Sequence, residues 1–410
     1  MKVIRSLKKV SLIAFLIITL ATAAIIFVIS NLDLNHSYHP PSLTAPVPPL
    51  VYPKSVSNAS NLQVRKNVVQ LTSAEKAAFV RALKALKNKV PAGSTLSVYD
   101  QFVLQHVLTM GFRQQLGAKG PAQGNPAHGQ PAFLPWHRQF LRQFEQLLQE
   151  IDKSVTIPYW DWTDPQALET ILQEDFLGPV GQGVKIDIPK IGTFTGGTVA
   201  SGIFADWTLN ENIHFDPITM SSLGVKLLRF VDMPPCYKSS ITKAAVEQLF
   251  RFTNYEIFNA LIEGALVLNN KNEFVEGWTL HACAHSMIGG SLVDKDNPMR
   301  QTRILGTMDS IPSSPYDPIF WLNHANVDRL WAEWQDQGHT GESFYPSKGV
   351  PFGHNLHDPM WPWDGELSKP GNYGLRNIRS MLVKQTVIVT PADVLNFRKL
   401  GYTYDTTDLN

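Results

Sequence analysis

His281 and His285 stand four residues apart in HACAH, and His324 follows in DPIFWLNHANVDRLW. On a helix, side chains at i and i+4 lie on one face, and two imidazoles so placed can grip one metal ion. His324 sits in an aromatic-rich stretch read as a helix start, from which it can close a three-imidazole site. A second set lies upstream, where His128 and His137 frame HGQPAFLPWH. Pro131 and Pro135 forbid a continuous helix between them, so His128 is expected in a loop and His137 in the first turn of a new helix. From Trp136 the apolar residues recur at Phe140, Leu141, Phe144, Leu147, Leu148 and Ile151, a helical period that places His137 on the buried face. His106 lies on a similar stripe with Tyr99, Phe102, Val103, Val107 and Met110. Burying an unpaired polar group costs about 1–3 kcal/mol, and a metal is a partner that removes the cost. Three histidines upstream and three downstream therefore predict two metals, each with three nitrogen ligands. Neutral imidazole suits copper, and zinc as well.

The six histidines span residues 106 to 324, so one large domain must bring them together. Hydrophobic residues at 44% and aromatics at 10% are ample for its core, and a net charge of +1 gives no reason to expect nucleic acid as a partner. Thr72 and Glu75 form a capping box ahead of a helix with Phe79, Leu83 and Leu86 on one side. Residues 178–210 are rich in Gly and Thr with no helical period, and predict long loops with a short strand pair. Helical patterning returns from Ala244 to Leu268. Near the end, Thr390 reads as a helix cap, Pro391 as a first helical residue and Gly401 as a stop. Two cysteines make no disulfide framework. Cys236 and Cys283 could pair in an oxidising compartment, although a small buried residue is the expected role of Cys283.

Ahead of the domain, Lys2, Arg5, Lys8 and Lys9 precede Val10 to Ile29, twenty residues without a charge. That length crosses a bilayer as a helix, and the charges predict that the remainder lies on the far side. The expected organisation is a cytoplasmic start over 1–9, a signal anchor or signal peptide over 10–30, a Pro-rich tether over 31–60 and the domain over 61–410.

The segment H-x4-F-L-x-W-H-R-x2-L-x3-E, from His128 to Glu145, resembles the copper A signature of the tyrosinase family. The segment D-P-x-F-W-x2-H-x3-D, from Asp317 to Asp328, resembles its copper B signature, with HxxxH ahead of it. IPYWDWT (Ile157 to Thr163) and LGYTYD (Leu400 to Asp405) are similar to further family features. The resemblance implies a mainly α fold: an antiparallel helical bundle holding a dicopper centre, with long loops and minor β structure. It implies two copper ions, His106, His128 and His137 on copper A and His281, His285 and His324 on copper B. It also implies O2 as co-substrate and small phenols as substrates, o-diphenols and more weakly monophenols passing to o-quinones. An o-aminophenol oxidase, or a haemocyanin-like protein that binds O2 reversibly without turnover, are the alternatives.

Several supporting residues follow from the same reading. Asp328 and Asn326 are candidates for orienting the ligand rings. Arg138 and Glu145 are expected to hold helices together, and Phe320 to pack at the copper B wall. His36, His39, His214, His339, His354 and His357 lack ligand spacing and are assigned to surface or structural positions. Some family members carry a cysteine two residues before the second copper A histidine, cross-linked to it; Pro126 stands there and excludes the link. In relatives that hydroxylate monophenols, a glutamate and an asparagine just after the first copper B histidine hold a water that takes the substrate proton. Here that second position is Ala282, and Glu276, with Glu273 behind it, is the candidate glutamate.

Overall fold

The computed structural model describes residues 62–407 apart from 93, 116, 238–239 and 269–272. The segments 1–9, 10–30 and 31–60 lie outside the described residues, and among the described ones no helix is long and apolar enough to cross a membrane.

Among the described residues nine α-helices follow one another: α1 Ser73–Asn88, α2 Val98–Thr109, α3 Phe133–Ile151, α4 Pro165–Ile171, α5 Lys243–Leu249, α6 Tyr255–Glu263, α7 Leu280–Gly289, α8 Ile319–Asp336 and α9 Pro391–Val394. The predicted capping box starts α1: Thr72 Oγ1 accepts from Glu75 N–H at 3.2 Å, and Glu75 Oε2 accepts from Thr72 N–H at 2.8 Å. Ser97 caps α2 by accepting from Asp100 N–H. The helix α3 begins at Phe133, earlier than expected, because Pro135 falls among the first residues, whose amide positions need no partner inside the helix. His137 is therefore in its second turn. Ile151 is exposed, since α3 outruns the core at that end.

The helical stretch expected from Ala244 to Leu268 is two short helices and a strand. Asn254 caps α6 by accepting from Ile257 N–H, and Gly264 ends it at a φ of +94°, a conformation that glycine adopts without a Cβ clash. Leu266–Leu268 is then strand β7, paired with Phe274–Glu276 (β8). Residues 178–210 hold more strand than expected. Gln182–Ile188 (β2) and Gly192–Thr198 (β3) form an antiparallel hairpin, joined by Leu228–Arg229 (β6), with Ile188, Phe230 and Met233 as its own apolar cluster. Phe215–Asp216 (β4) pairs with Ser221–Ser222 (β5), and Ser291–Val293 (β9) with Gln301–Ile304 (β10).

The main core lies where α3 packs on α1, α6 and α8. Phe144 of α3 stacks on Trp321 of α8 with ring centroids 3.5 Å apart, and Phe102, Tyr99 and Phe140 surround that pair. Gln63–Arg65 (β1) runs parallel to Tyr402–Tyr404 (β11), so both ends of the described chain meet over the α3–α8 seam. Arg65, fully buried, forms a bidentate pair with Glu145 of α3 (3.0 and 2.8 Å) and reaches Asp328 of α8 at 3.1 Å. Arg138 of α3 bonds Asp328, Gln335 and the carbonyls of Val394 and Leu395, while Tyr402 and Tyr404 donate to Asp328 at 2.6 Å. Arg138 and Glu145 thus hold helices together, as expected. Cys236 and Cys283 form a disulfide with Cα atoms 5.4 Å apart, so Cys283 is a half-cystine that ties α7 to the loop after β6.

Candidate metal centre

Four helices and one loop deliver the six histidines. His106 comes from α2, His137 from α3, His281 and His285 from α7, His324 from α8, and His128 from the loop before α3. Two triads result, His106–His128–His137 and His281–His285–His324, and within each the ligand nitrogens lie within 4.8 Å of one another. In the second triad, His281 Nε2 is 3.0 Å from the Nε2 atoms of both His324 and His285. The triads abut: the rings of His137 and His324 are stacked 4.1 Å apart. Phe133 and Phe320 fill the space around that junction, Phe320 lying 4.2 Å from His324 and 5.3 Å from His106, where it packs as expected.

Main-chain carbonyls orient four of the rings. Nδ1 of His106 bonds Pro312 O (2.8 Å), His137 bonds Phe133 O (2.9 Å), His281 bonds Glu263 O (3.0 Å) and His285 bonds Met308 O (2.7 Å). A carbonyl only accepts, so the proton resides on Nδ1 and the Nε2 lone pair is turned inward. Asp328 and Asn326 have other work: Asp328 serves the arginine cluster, and Asn326 Oδ1 accepts from Arg329 Nε at 2.9 Å. The expected orienting carboxylate is replaced by peptide groups of neighbouring segments.

The donor set fits a pair of metal ions. His106 Nε2 and His137 Nε2 are buried without a protein partner, a cost that a coordinated cation removes. Burial lowers every one of the six imidazole pKa values, that of His106 to about 3 and that of His285 to about 4, and in all but His285 neighbouring imidazoles add to the effect. All six are thus neutral near pH 7, the form that binds metal.

The centre opens on one side. Five of the six histidines are buried, whereas His128, Gly129, Gln130, Glu263 and Ala282 are half-buried and form the accessible edge. Glu263 is the acid that sequence reasoning missed. Its Oε1 accepts from Gly129 N–H at 2.7 Å, and desolvation pushes its carboxyl up to about 8. Glu276 instead stands exposed on β8, as does Glu273 just before it. The hairpin β7–β8 separates Glu263 from His281 by 18 positions, whereas the acids nearer in sequence, Glu273 and Glu276, lie exposed on the hairpin. The signal that could have found it is a glutamate closing an amphipathic helix immediately before Gly264. A Cβ on Gly264 would lie 2.1 Å from Thr279 O and 2.9 Å from Ala282 N, which shows how tightly the end of α6 meets the start of α7.

The remaining histidines behave as assigned where they are described. His214 is buried with both ring nitrogens bonded, His354 bonds Gln123 O, His339 stacks on Trp334, and His357 is exposed; His36 and His39 lie outside the described residues.

Residues 96–337 match the common central domain of tyrosinase. A tyrosinase of Streptomyces glaucescens is 33% identical over 310 residues, covering 74% of this chain and 93% of its own. A grixazone synthase of Streptomyces griseus is 30% identical over 373 residues, covering 84% of this chain and 99% of its own. Among solved structures, a polyphenol oxidase from Thermothelomyces thermophila shares the fold with a TM-score of 0.52 at 22% identity, over 84% of this chain and 89% of that one.

Proposed function

The chain belongs to the tyrosinase family, and from that premise we propose that it oxidises o-diphenols to o-quinones in preference to hydroxylating monophenols. It is a type 3 copper oxidoreductase with two copper ions as cofactors and O2 as co-substrate. In this reading His106, His128 and His137 hold one ion and His281, His285 and His324 the other. The observation that carries it is the convergence of six neutral imidazoles in two abutting triads.

Bound copper supplies the electron exchange with O2 that turns a catechol into its quinone. The chain's own residues do the rest. Phe133 and Phe320 exclude water from the junction of the triads. A phenol ring enters over the half-buried edge at His128, Glu263 and Ala282. Glu263 presents a carboxyl there for a substrate hydroxyl or a water, but Ala282 has no hydrogen-bonding side chain to share the task. A monophenol must lose its proton before it can be hydroxylated, whereas a catechol is more acidic and more readily oxidised. Assistance from a positioned base contributes about 10²–10⁴-fold, so an incomplete clamp depresses hydroxylation selectively.

The test is the ratio of initial rates on a catechol and its matching monophenol, with lag phases removed by trace diphenol. Catechol oxidation should dominate, and Ala282→Asn should raise monophenol turnover selectively. Equal rates in the native protein, or an unchanged ratio in the variant, would show that proton removal is organised elsewhere. A second reading is the oxidation of o-aminophenols, which the same centre would take in place of o-diphenols. An o-aminophenol turned over faster than any catechol in one panel would establish it.

Residues 61–410 form the catalytic domain in this reading, held outside the cytoplasm by the uncharged run Val10 to Ile29, as an anchor or a cleaved signal. The Cys236–Cys283 disulfide supports an oxidising compartment. Protease added to cells with a permeabilised outer layer should digest the domain; full-length protein in the cytosol would contradict this placement.

A further inference from the structure

His128 is the one member of the first triad that no helix carries, and its Nδ1 is buried without a protein partner. With no hydrogen bond to fix Nδ1, its ring rests against His106, His137 and Phe133 and otherwise takes its position from the backbone of its loop. That backbone is held from one direction. Gly129 N–H donates to Glu263 Oε1 at 2.7 Å, Asn259 Nδ2 donates to Gln130 O at 3.2 Å, and Tyr255 Oη donates to Pro131 O at 2.6 Å. Three consecutive residues after the histidine are thus gripped by three side chains at positions i, i+4 and i+8 of α6. That spacing puts all three grips on one helix face.

The grips are built rather than incidental. Tyr255 and Asn259 are each 4% exposed, and Tyr255 Oη lies 3.4 Å from Asn259 Oδ1. The Tyr255 ring is fixed by Tyr345 at 4.7 Å and by Trp331 and Trp334 of α8, so its hydroxyl is aimed by packing. At the end of the same helix, the carbonyl of Glu263 accepts from His281 Nδ1.

We propose that Tyr255 and Asn259 are positioning residues for the copper A ligand His128, and that α6 is a rail that sets the loop ligand of one metal against the His281 ligand of the other. This rests on the reading that His128 binds copper. Removing Tyr255 Oη leaves the buried Pro131 carbonyl short of a partner, and removing Asn259 Nδ2 leaves the half-buried Gln130 carbonyl only its turn bond from Phe133 N–H, so either change loosens the loop while the helix-borne ligands His106 and His137 keep their places. The expected effect is a weakening of copper A alone by about 10–100-fold, the range found when groups that orient a ligand are removed.

The experiment measures copper affinity by chelator competition, with copper per chain by elemental analysis. Tyr255→Phe, which keeps the ring packing, and Asn259→Leu, which keeps the bulk, are placed in two backgrounds. In His285→Ala/His324→Ala only the copper A site remains intact; in His106→Ala/His137→Ala only copper B does. Both variants should weaken the ion in the first background by about 10–100-fold and leave the ion in the second unchanged. Equal weakening in both backgrounds, or none in the first, would overturn the proposal, since a merely structural helix acts on both sites alike. The control His128→Ala in the first background separates the two readings. If it fails to weaken copper A, the ligand assignment is wrong; if it does while Tyr255→Phe and Asn259→Leu do not, the rail is wrong and the ligand stands. Circular dichroism of the metal-free variants verifies that the domain has folded.

Discussion

Replacing the Cys236–Cys283 disulfide tests how firmly α7 is anchored. The bond closes a loop of 47 residues, and Cys283 lies between His281 and His285 on the helix that delivers both. In the chain-entropy account a loop of that length restrains the unfolded state by about 4 kcal/mol. With an unfolding entropy near 2.1 cal/mol/K per residue, about 350 ordered residues give about 0.7 kcal/mol/K, so the melting temperature should fall by about 5 °C. The perturbation is Cys236→Ala together with Cys283→Ala, compared with reduced native protein, in which both sulfurs still fill their buried positions. The two should agree to within about 1 kcal/mol, the scale of the lost packing. Calorimetry reads the global term. A local term is expected as well, because the bond restrains the helix bearing His281 and His285 directly, so a chelator should strip the His281–His285–His324 ion first in the variant. A melting temperature within 1 °C of native, with the order of copper loss unchanged, would refute the anchoring role.

Other outcomes follow from the same structure. His324→Ala should reduce copper from two ions per chain to about one and abolish turnover, read by elemental analysis and oxygen uptake. Asp328→Asn should destabilise the domain by about 3–5 kcal/mol, because Arg138 and Arg65, which hold that carboxyl below its usual range against the effect of burial, lose their counter-charge; thermal unfolding checks it. Acid sensitivity should come partly from His214, whose Nε2 accepts from Thr307 Oγ1 while Nδ1 donates to Gly224 O. Burial lowers its pKa from 6.5 to about 4, so its neutral form is favoured in the fold. The stability it lends is complete above pH 6.5 and is lost as the pH falls towards 4, and His214→Gln should remove about 2.5 kcal/mol of the difference between pH 7.5 and 4.5 in denaturant titrations.

What the sequence disclosed and what it concealed divide along a physical line. The helices were legible because their signals are local: the Thr72–Glu75 box, the stripe from Trp136, and the four-residue spacing of His281 and His285. The six histidines were legible for the same reason, each being a distinctive side chain on a periodic face or inside a dense motif. The disulfide was not, since pairing across 47 residues depends on where the loop after β6 returns. Nor was Glu263, whose partner Gly129 is 134 positions away and whose distance from His281 is set by the inserted hairpin. The strand pair at 182–198 outgrew its expectation because its support, Phe230 and Met233, comes from later in the chain.

The least legible part of the site is what aims the rings. Any residue has a carbonyl, so Pro312, Phe133, Glu263 and Met308 left no mark in the sequence as orienting groups, whereas Asp328 and Asn326 drew attention by having polar side chains. The consequence is mechanical. Four ligands are oriented by backbone, and backbone moves only with the segment that carries it. Side-chain replacement at Pro312 or Met308 therefore leaves the bond itself in place, and substitution of Asp328 acts on the α3–α8 seam rather than on His324 directly. His128 is the exception among the ligands of the first triad: neither a helix nor a carbonyl fixes its ring, and the side chains of one helix face stand in for both. The geometry of the centre is thus most open to change through α6, where single substitutions can move a ligand without altering a core helix.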